Sequence, residues 1–203
     1  MRLQLDNHGI GLRSSNSHHA RLLDVAERQR FGQALLKILL QLHAQVDEGD
    51  VQLFVHGTGQ PYATIKGSPY GVSLSHSRGS WYAAALPDAQ VGIDVERRWG
   101  FPATLPVERF TLSDWEQCQR LMLEEEPAQA FLRRRWTLKE AYAKATGQGL
   151  HFPFPSLSFQ HQEHLNSAYF TPVNLMGTDG TWMYWSAEDI QDCTFGLCWR
   201  NAV

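Results

Sequence analysis

The chain has 203 residues, 43% of them hydrophobic and 19% charged, with a formal net charge of −3. That balance sustains a packed core and argues against global disorder and against a dedicated nucleic-acid binder. Three cysteines, Cys118, Cys193 and Cys198, make no disulfide framework, and a lone C-x4-C spacing makes no zinc site, so reduced thiols of a cytosol are expected.

The opening MRLQLDNHG is too polar for a signal peptide, and no apolar run approaches the ~20 residues of a membrane span. A cytoplasmic protein without membrane contact is expected. Residues 1–17 are polar and read as loosely ordered. Residues 20–46 read as a helix, with Leu22, Leu23, Ala26, Leu35, Leu36, Leu39, Leu40 and Val46 on one face. VQLFVHG (51–57) reads as a strand ending in a glycine turn. Three strand-like runs follow, VSLSHS (72–77), WYAAAL (81–86) and VGIDVE (91–96), joined by SRGS and PDAQ. Short turns between such runs predict an antiparallel meander. Residues 105–126 read as helical, and 128–146 as the clearest helix, closed by Gly147. SLSF (156–159), TWMYWSA (181–187) and FGLCWR (195–200) are strand candidates. Helix, meander, helices and strands in that order give an α+β fold.

In VGIDVE, alternation turns Val91, Ile93 and Val95 to one face and Gly92, Asp94 and Glu96 to the other. Two carboxylates about 7 Å apart repel by about 2 kcal/mol at an effective dielectric near 20. Two readings stand. The acids pair with Arg97, Arg98 or solvent, or they hold a hard divalent cation such as Mg²⁺, since only oxygen ligands are on offer. In the meander the first and third strands run the same way, which puts Ser75 and His76 at the same sheet edge as Asp94 and Glu96, roughly 10 Å away. His76 shares parity with Val72 and Leu74, so a core or rim histidine is the competing reading. On the long helix Trp136, Glu140 and Lys144 fall on one face. Glu140 and Lys144 are either a simple helix ion pair or a third carboxylate with a phosphate-facing lysine one turn on.

GIDVE (92–96), followed by WTLKEAYAKATGQGL from Trp136, resembles the 4′-phosphopantetheinyl transferase superfamily, whose signatures are G-(I/V)-D-(I/V)-E and (F/W)-x-x-K-E-(A/S)-x-x-K. Ser75–Ser77 matches a third block ending S-H-S. RQRFGQALLKILL, GQPY (59–62) and ERFTLSDWEQ (108–117) are weaker echoes. The length is similar to the surfactin-synthetase-activator type rather than to the much shorter trimeric synthase of fatty-acid carriers. The resemblance implies a monomer with two similar α+β halves, near 1–90 and 91–203, related by a pseudo-twofold with one site between them.

It also implies transfer of the phosphopantetheine arm of coenzyme A to a serine of an apo acyl or peptidyl carrier protein, with release of adenosine 3′,5′-bisphosphate. On the matching positions, Asp94, Glu96 and Glu140 would bind Mg²⁺ with the pyrophosphate. Glu140 would also take the serine proton, and Lys144 would neutralise developing charge. Ser75, His76 and Arg28 would contact nucleotide phosphates. Gln60 stands where the family often has lysine, with Lys66 the expected substitute, and Ser73 replaces a common asparagine.

His161 and His164 read as surface loop, Arg133–Arg135 as a mixed surface and phosphate-facing run, and Trp182, Tyr184 and Trp185 as core. Of Phe110, Leu112, Trp115, Leu121 and Met122, most are expected in the core, and a minority exposed to receive the carrier's helix. A nuclease or phosphohydrolase reusing Asp-x-Glu would carry its lysine on the strand, where this chain has Arg98. A non-catalytic binder would have lost an acid, and all three are present.

Overall fold

The computed structural model describes residues 2–5, 10–16, 24–57, 59–77, 79–97, 107–159, 171–173, 182–190 and 193–201. The elements are β1 (Arg2–Leu5), β2 (Ile10–Asn16), α1 (Val25–Ala44), β3 (Val51–Val55), β4 (Pro61–Ile65), β5 (Ser68–Ser77), β6 (Ser80–Pro87), β7 (Ala89–Arg97), α2 (Val107–Thr111), α3 (Asp114–Leu121), α4 (Glu125–Ala145), β8 (Thr171–Val173), β9 (Trp182–Ile190) and β10 (Cys193–Asn201). They build an α+β fold around two antiparallel sheets, ordered β1-β2-β6-β5-β4-β3 and β7-β10-β9-β8.

The hydrophobic clusters set the layers. Leu35, Leu36, Leu39 and Leu40 of α1 pack on Val72, Trp81, Ala83 and Ala85 of the first sheet. The alternate residues of β6, Tyr82, Ala84 and Leu86, meet Val91, Ile93, Val95, Phe195 and Leu197 of the second sheet. Leu138, Ala141, Tyr142 and Ala145 of α4 cover the outer face of that sheet at Tyr184 and Cys198. The order is therefore α1, sheet, sheet, α4. Being covered on both faces explains why WYAAAL is apolar without alternation.

Capping places the helix ends. Asp24 and Glu27 form a reciprocal capping box that starts α1 later than the apolar pattern suggests, and Gln45 ends it at φ 54°. Ser113 and Glu116 do the same for α3. The predicted 105–126 helix is thus two short helices. Pro127 lies in the first turn of α4, where its missing N–H is tolerated. Gly147, at φ 73°, follows the C-terminus of α4 as expected.

Several expectations are corrected. The three runs are not a meander in one sheet. β5 and β6 form a hairpin, but β7 leaves it and pairs with β10 along its whole length. Asp88, at φ 45°, donates its N–H to the Pro69 carbonyl. Gly71 lets the chain cross here, because a Cβ on it would lie 2.1 Å from the Ala89 oxygen. Residues 2–5 and 10–16 are not loose but form two strands, the second paired to β6. β4 was not anticipated. Residues 156–159 are not a strand, and the Phe159 N–H goes to the Glu116 carboxylate instead. His161 and His164 lie outside the described residues.

Candidate functional site

β7 is an edge strand of the second sheet, so every second N–H points away from β10. Those N–H groups are not left to solvent. Ile93, Val95 and Arg97 donate to the hydroxyls of Ser73, Ser75 and Ser77, at 3.1, 3.1 and 3.2 Å. The strand β5 is therefore bolted alongside β7 by side chains, with no strand between. The site residues that the meander placed roughly 10 Å apart are in contact: Ser75 Oγ donates to Asp94 Oδ1 at 2.9 Å, and Ser77 Oγ to Glu96 Oε2 at 3.4 Å.

The alternation of VGIDVE holds. Val91, Ile93 and Val95 enter the inter-sheet core, while Gly92, Asp94 and Glu96 turn to the other face. Gly92 explains how α4 comes so near: a Cβ there would lie 1.8 Å from the Ala141 carbonyl oxygen. Gly196 on the neighbouring strand makes the same allowance beneath Thr137. That close seating delivers Lys144 Nζ to Asp94 Oδ1 at 2.6 Å and to the Ile93 carbonyl at 3.3 Å. Lys144 thus pairs with an acid of the other motif rather than with Glu140.

Asp94 is only 5% exposed, and its Oδ2 has no hydrogen-bond partner among the described residues. Burial, then the charge of Asp94, pushes both the Glu96 and the Glu140 carboxyl up to about 7. All three acids therefore share one electrostatic environment in which the single charge of Lys144 offsets only part of their mutual repulsion. Among the described residues, no three His, Cys, Asp or Glu side chains are gathered into a preformed metal cage. The donor set is nonetheless oxygen only, with one orphaned buried carboxylate oxygen and two reluctant anions, which suits a hard divalent cation.

Beside Lys144 opens a cleft of about 840 Å³, walled by Arg28, Gln60, Leu74, His76, Trp81 and Lys144 among others. Its cations are Arg28 of α1 and Lys144 of α4. His76 stands at the wall, its ring 4.6 Å from that of Trp81, so it is a rim residue beyond the Val72 and Leu74 core. Partial burial, with Lys144 and Arg28 nearby, lowers its pKa below the usual imidazole value. Arg28 lies in the first turns of α1, held near its place by a 3.4 Å bond from Nε to the Asp24 carbonyl. Ser75 is not on the wall. Its hydroxyl is buried and committed to Asp94 and Val95, unlike the direct phosphate contact expected of it.

Gln60 does a job its sequence position did not reveal. Its Nε2 donates to the carbonyls of Lys144 and Ala145, at 3.0 and 3.1 Å, tying the β3–β4 connection to the last turn of α4. Lys66 does not substitute for the usual lysine here, since it sits in the β4–β5 turn and pairs with Asp50.

A buried ion cluster under α4 was also missed. Lys139 donates to the Glu116 carboxylate, to the Thr111 carbonyl at 2.6 Å and to the Phe154 carbonyl at 3.1 Å. Arg135 approaches the same carboxylate at 3.4 Å, with its guanidinium over the Phe131 ring. Arg135 is therefore internal, not part of a surface run. The adjacent Lys139 and Glu140 of the helix diverge, with Lys139 facing inward and Glu140 toward the acids. Of the five apolar residues expected to be mainly core, only Leu112 is buried. Phe110, Leu121 and Met122 are 63%, 78% and 79% exposed, and Trp115 is exposed as well.

Residues 90–198 match the family model of the 4′-phosphopantetheinyl transferase superfamily. The chain is 26% identical over 139 residues to 4′-phosphopantetheinyl transferase Sfp of Bacillus subtilis (strain 168), covering 68% of this chain and 60% of that protein. It is 30% identical over 145 residues to 4′-phosphopantetheinyl transferase psf-1 of Bacillus pumilus, covering 70% and 60%. It is 32% identical over 128 residues to 4′-phosphopantetheinyl transferase HetI of Nostoc sp. (strain PCC 7120), covering 61% and 54%. The matched stretch thus spans about 60% of the length of the first two relatives. With Asp94, Glu96, Glu140 and Lys144 standing in the two signature segments inside the matched range, the chain belongs to the 4′-phosphopantetheinyl transferase superfamily.

Proposed function

We propose that the chain transfers the 4′-phosphopantetheine group of coenzyme A to a serine hydroxyl of an apo acyl or peptidyl carrier protein. The observation that carries this is the junction of three acids and Lys144 with a cleft large enough for a nucleotide and flanked by Arg28 and His76. In the reaction the serine oxygen bonds to the phosphorus bearing the pantetheine. The bond from that phosphorus to the bridging oxygen breaks, and adenosine 3′,5′-bisphosphate leaves with it. Glu140, whose carboxyl is held near neutrality, accepts the serine proton directly or through water. Lys144 turns from Asp94 toward the charge that builds on the leaving group. Arg28 and His76 bind the nucleotide phosphates, and the walls of the cleft exclude water from the anion they hold. Asp94, Glu96 and Glu140 would hold Mg²⁺, which when bound neutralises the pyrophosphate, and phosphoryl transfer depends mainly on such positioning and neutralisation.

The exposed Phe110, Leu121 and Met122 are offered to the carrier's helix, an apolar helix-in-groove contact. We further propose halves at 1–90 and 91–203 related by a pseudo-twofold, supported by the change of sheet between Pro87 and Ala89. Lys144 lines the cleft and pairs with Asp94 of the other signature within one chain, which favours a monomer. No helix of the described residues is long and apolar enough to cross a membrane, and a cytoplasmic place agrees with free Cys118, Cys193 and Cys198. No nucleic-acid role is proposed.

The test is incubation with apo carrier proteins of several classes, coenzyme A and Mg²⁺, read by intact mass. A phosphopantetheine mass gain is expected, and Glu140→Gln and Asp94→Ala should each abolish it. No gain on any carrier would overturn the reading.

A further inference from the structure

The alternate serines of β5 differ in one respect that separates scaffold from site. Each hydroxyl accepts an N–H from β7, which fixes its oxygen. A serine hydroxyl has a single proton to give. With one lone pair engaged by the N–H, that proton is aimed at whatever side chain lies next along β7. For Ser75 it is Asp94, and for Ser77 it is Glu96. For Ser73 the corresponding residue is Gly92, which offers none. Ser73 is thus a built-in comparison, with the same strand, the same bond to β7 and no acid to orient.

We propose that Ser75 and Ser77 are positioning residues, each locking one carboxylate of the Asp94–Glu96 pair in the orientation that receives the divalent cation. The inference rests on the metal-clamp reading of the preceding section. Ser75 gives its proton to Oδ1 of Asp94, the oxygen that Lys144 also holds, which leaves Oδ2 as the oxygen turned to an incoming cation. Ser77 holds Oε2 of Glu96 and leaves the other oxygen, Oε1, for the same ion. A carboxylate anchored through one oxygen presents the second as a single-oxygen ligand, and outer partners of this kind govern metal affinity. The row of three small hydroxyl side chains at alternate positions on one strand face then has a reason. A bulky side chain would push β5 off β7, and alanine would release the N–H and, at Ser75 and Ser77, the acid as well.

The test is Mn²⁺ binding to the full chain with coenzyme A and no carrier protein, followed by loss of the free-ion electron paramagnetic resonance signal, beside thermal melting. Ser75→Ala and Ser77→Ala should weaken Mn²⁺ binding roughly tenfold, whereas Ser73→Ala lowers the melting temperature as they do and leaves Mn²⁺ affinity unchanged. Ser77→Thr, which keeps the hydroxyl at the less buried end of the row, should restore native affinity, and Ser77 alone decides the matter if the Ser75 variant does not fold. Equal Mn²⁺ affinity in all three alanine variants, or an equal loss in all three, would overturn the proposal and leave the ladder purely structural. Absence of Mn²⁺ binding by the native chain would overturn the metal-clamp reading itself, and with it this inference.

Discussion

Gln60 on one side of the cleft holds the backbone carbonyl of Lys144 on the other, at 3.0 Å. Helix C-termini leave their last carbonyls short of partners, and an outside amide that bonds the Ala145 carbonyl and reinforces the Lys144 carbonyl, which also accepts from the Gly147 N–H, fixes the final turn. Gln60→Ala should therefore cost about 1 kcal/mol of stability. Because the same turn carries Lys144, the KM for coenzyme A should rise several-fold with a smaller change in kcat. Steady-state kinetics alongside urea unfolding will show whether the two effects travel together, and Gln60→Glu, which loses the donors but keeps the shape, should behave like alanine.

The raised carboxyls of Glu96 and Glu140 make stability depend on pH in a sense opposite to most acids. With burial pushing both carboxyls up to about 7 from the 4.5 of an exposed glutamate, the folded chain binds more protons than the unfolded one between those values. Their contribution is complete below about pH 4.5 and is lost as pH rises through 7. Without divalent cations, unfolding free energy should fall between pH 5.5 and 7.5 by an amount on the order of 2 kcal/mol for each carboxyl. Saturating Mg²⁺ should remove that slope, and Glu96→Gln should remove part of it. Denaturant titrations at the two pH values, with EDTA or with Mg²⁺, measure it.

Glu116 is fully buried between Lys139 and Arg135. Removing the carboxylate leaves two internal cations without their shared counter-charge, and Glu116→Ala should destabilise by about 3–5 kcal/mol. Lys139→Met, which fills the same space, should cost less. Neither change touches the cleft, so residual folded protein should keep its KM for coenzyme A. Chemical denaturation and kinetics on the soluble fraction separate these outcomes.

Leu121 and Met122 end α3 with most of their side chains in water. Singly scattered apolar residues need no explanation, but two in a row with Phe110 exposed on the preceding helix do. Leu121→Ala and Met122→Ala should each raise the KM for a carrier protein three- to tenfold while leaving the KM for coenzyme A and the melting temperature unchanged. Identical carrier kinetics would show that the carrier docks elsewhere.

The faces of the elements were legible in the sequence, and their partners were not. The alternation in VGIDVE correctly separates Val91, Ile93 and Val95 from Asp94 and Glu96, because a strand's period of two is local. Which strand lies beside β7 is decided by what α4 needs beneath it, namely Gly92 and Gly196 on adjacent strands, and that pairing joins residues about one hundred positions apart. The PDAQ segment has the composition of a hairpin turn, yet Asp88 bonds back to Pro69 and sends the chain across β5. The candidate acids and Lys144 were found from their spacing and their resemblance to a family. Glu116, Gln60 and the second role of the serines were not, since each acts through a partner remote in the chain. The exposed Phe110, Leu121 and Met122 carry no periodic signal that distinguishes a docking surface from a core.

Only Asp88 separates the last residue of β6 from the first of β7, so the chain passes from one sheet to the other with no slack. The two sheets are geared rather than hinged. Any rotation of one against the other must unhook Ser73, Ser75 and Ser77 in turn, and Asp94 with them. A few flexible residues inserted after Asp88 would leave each sheet able to fold while letting the gear slip, so the edge that carries Asp94 and Glu96 should lose its alignment long before the protein loses its melting transition.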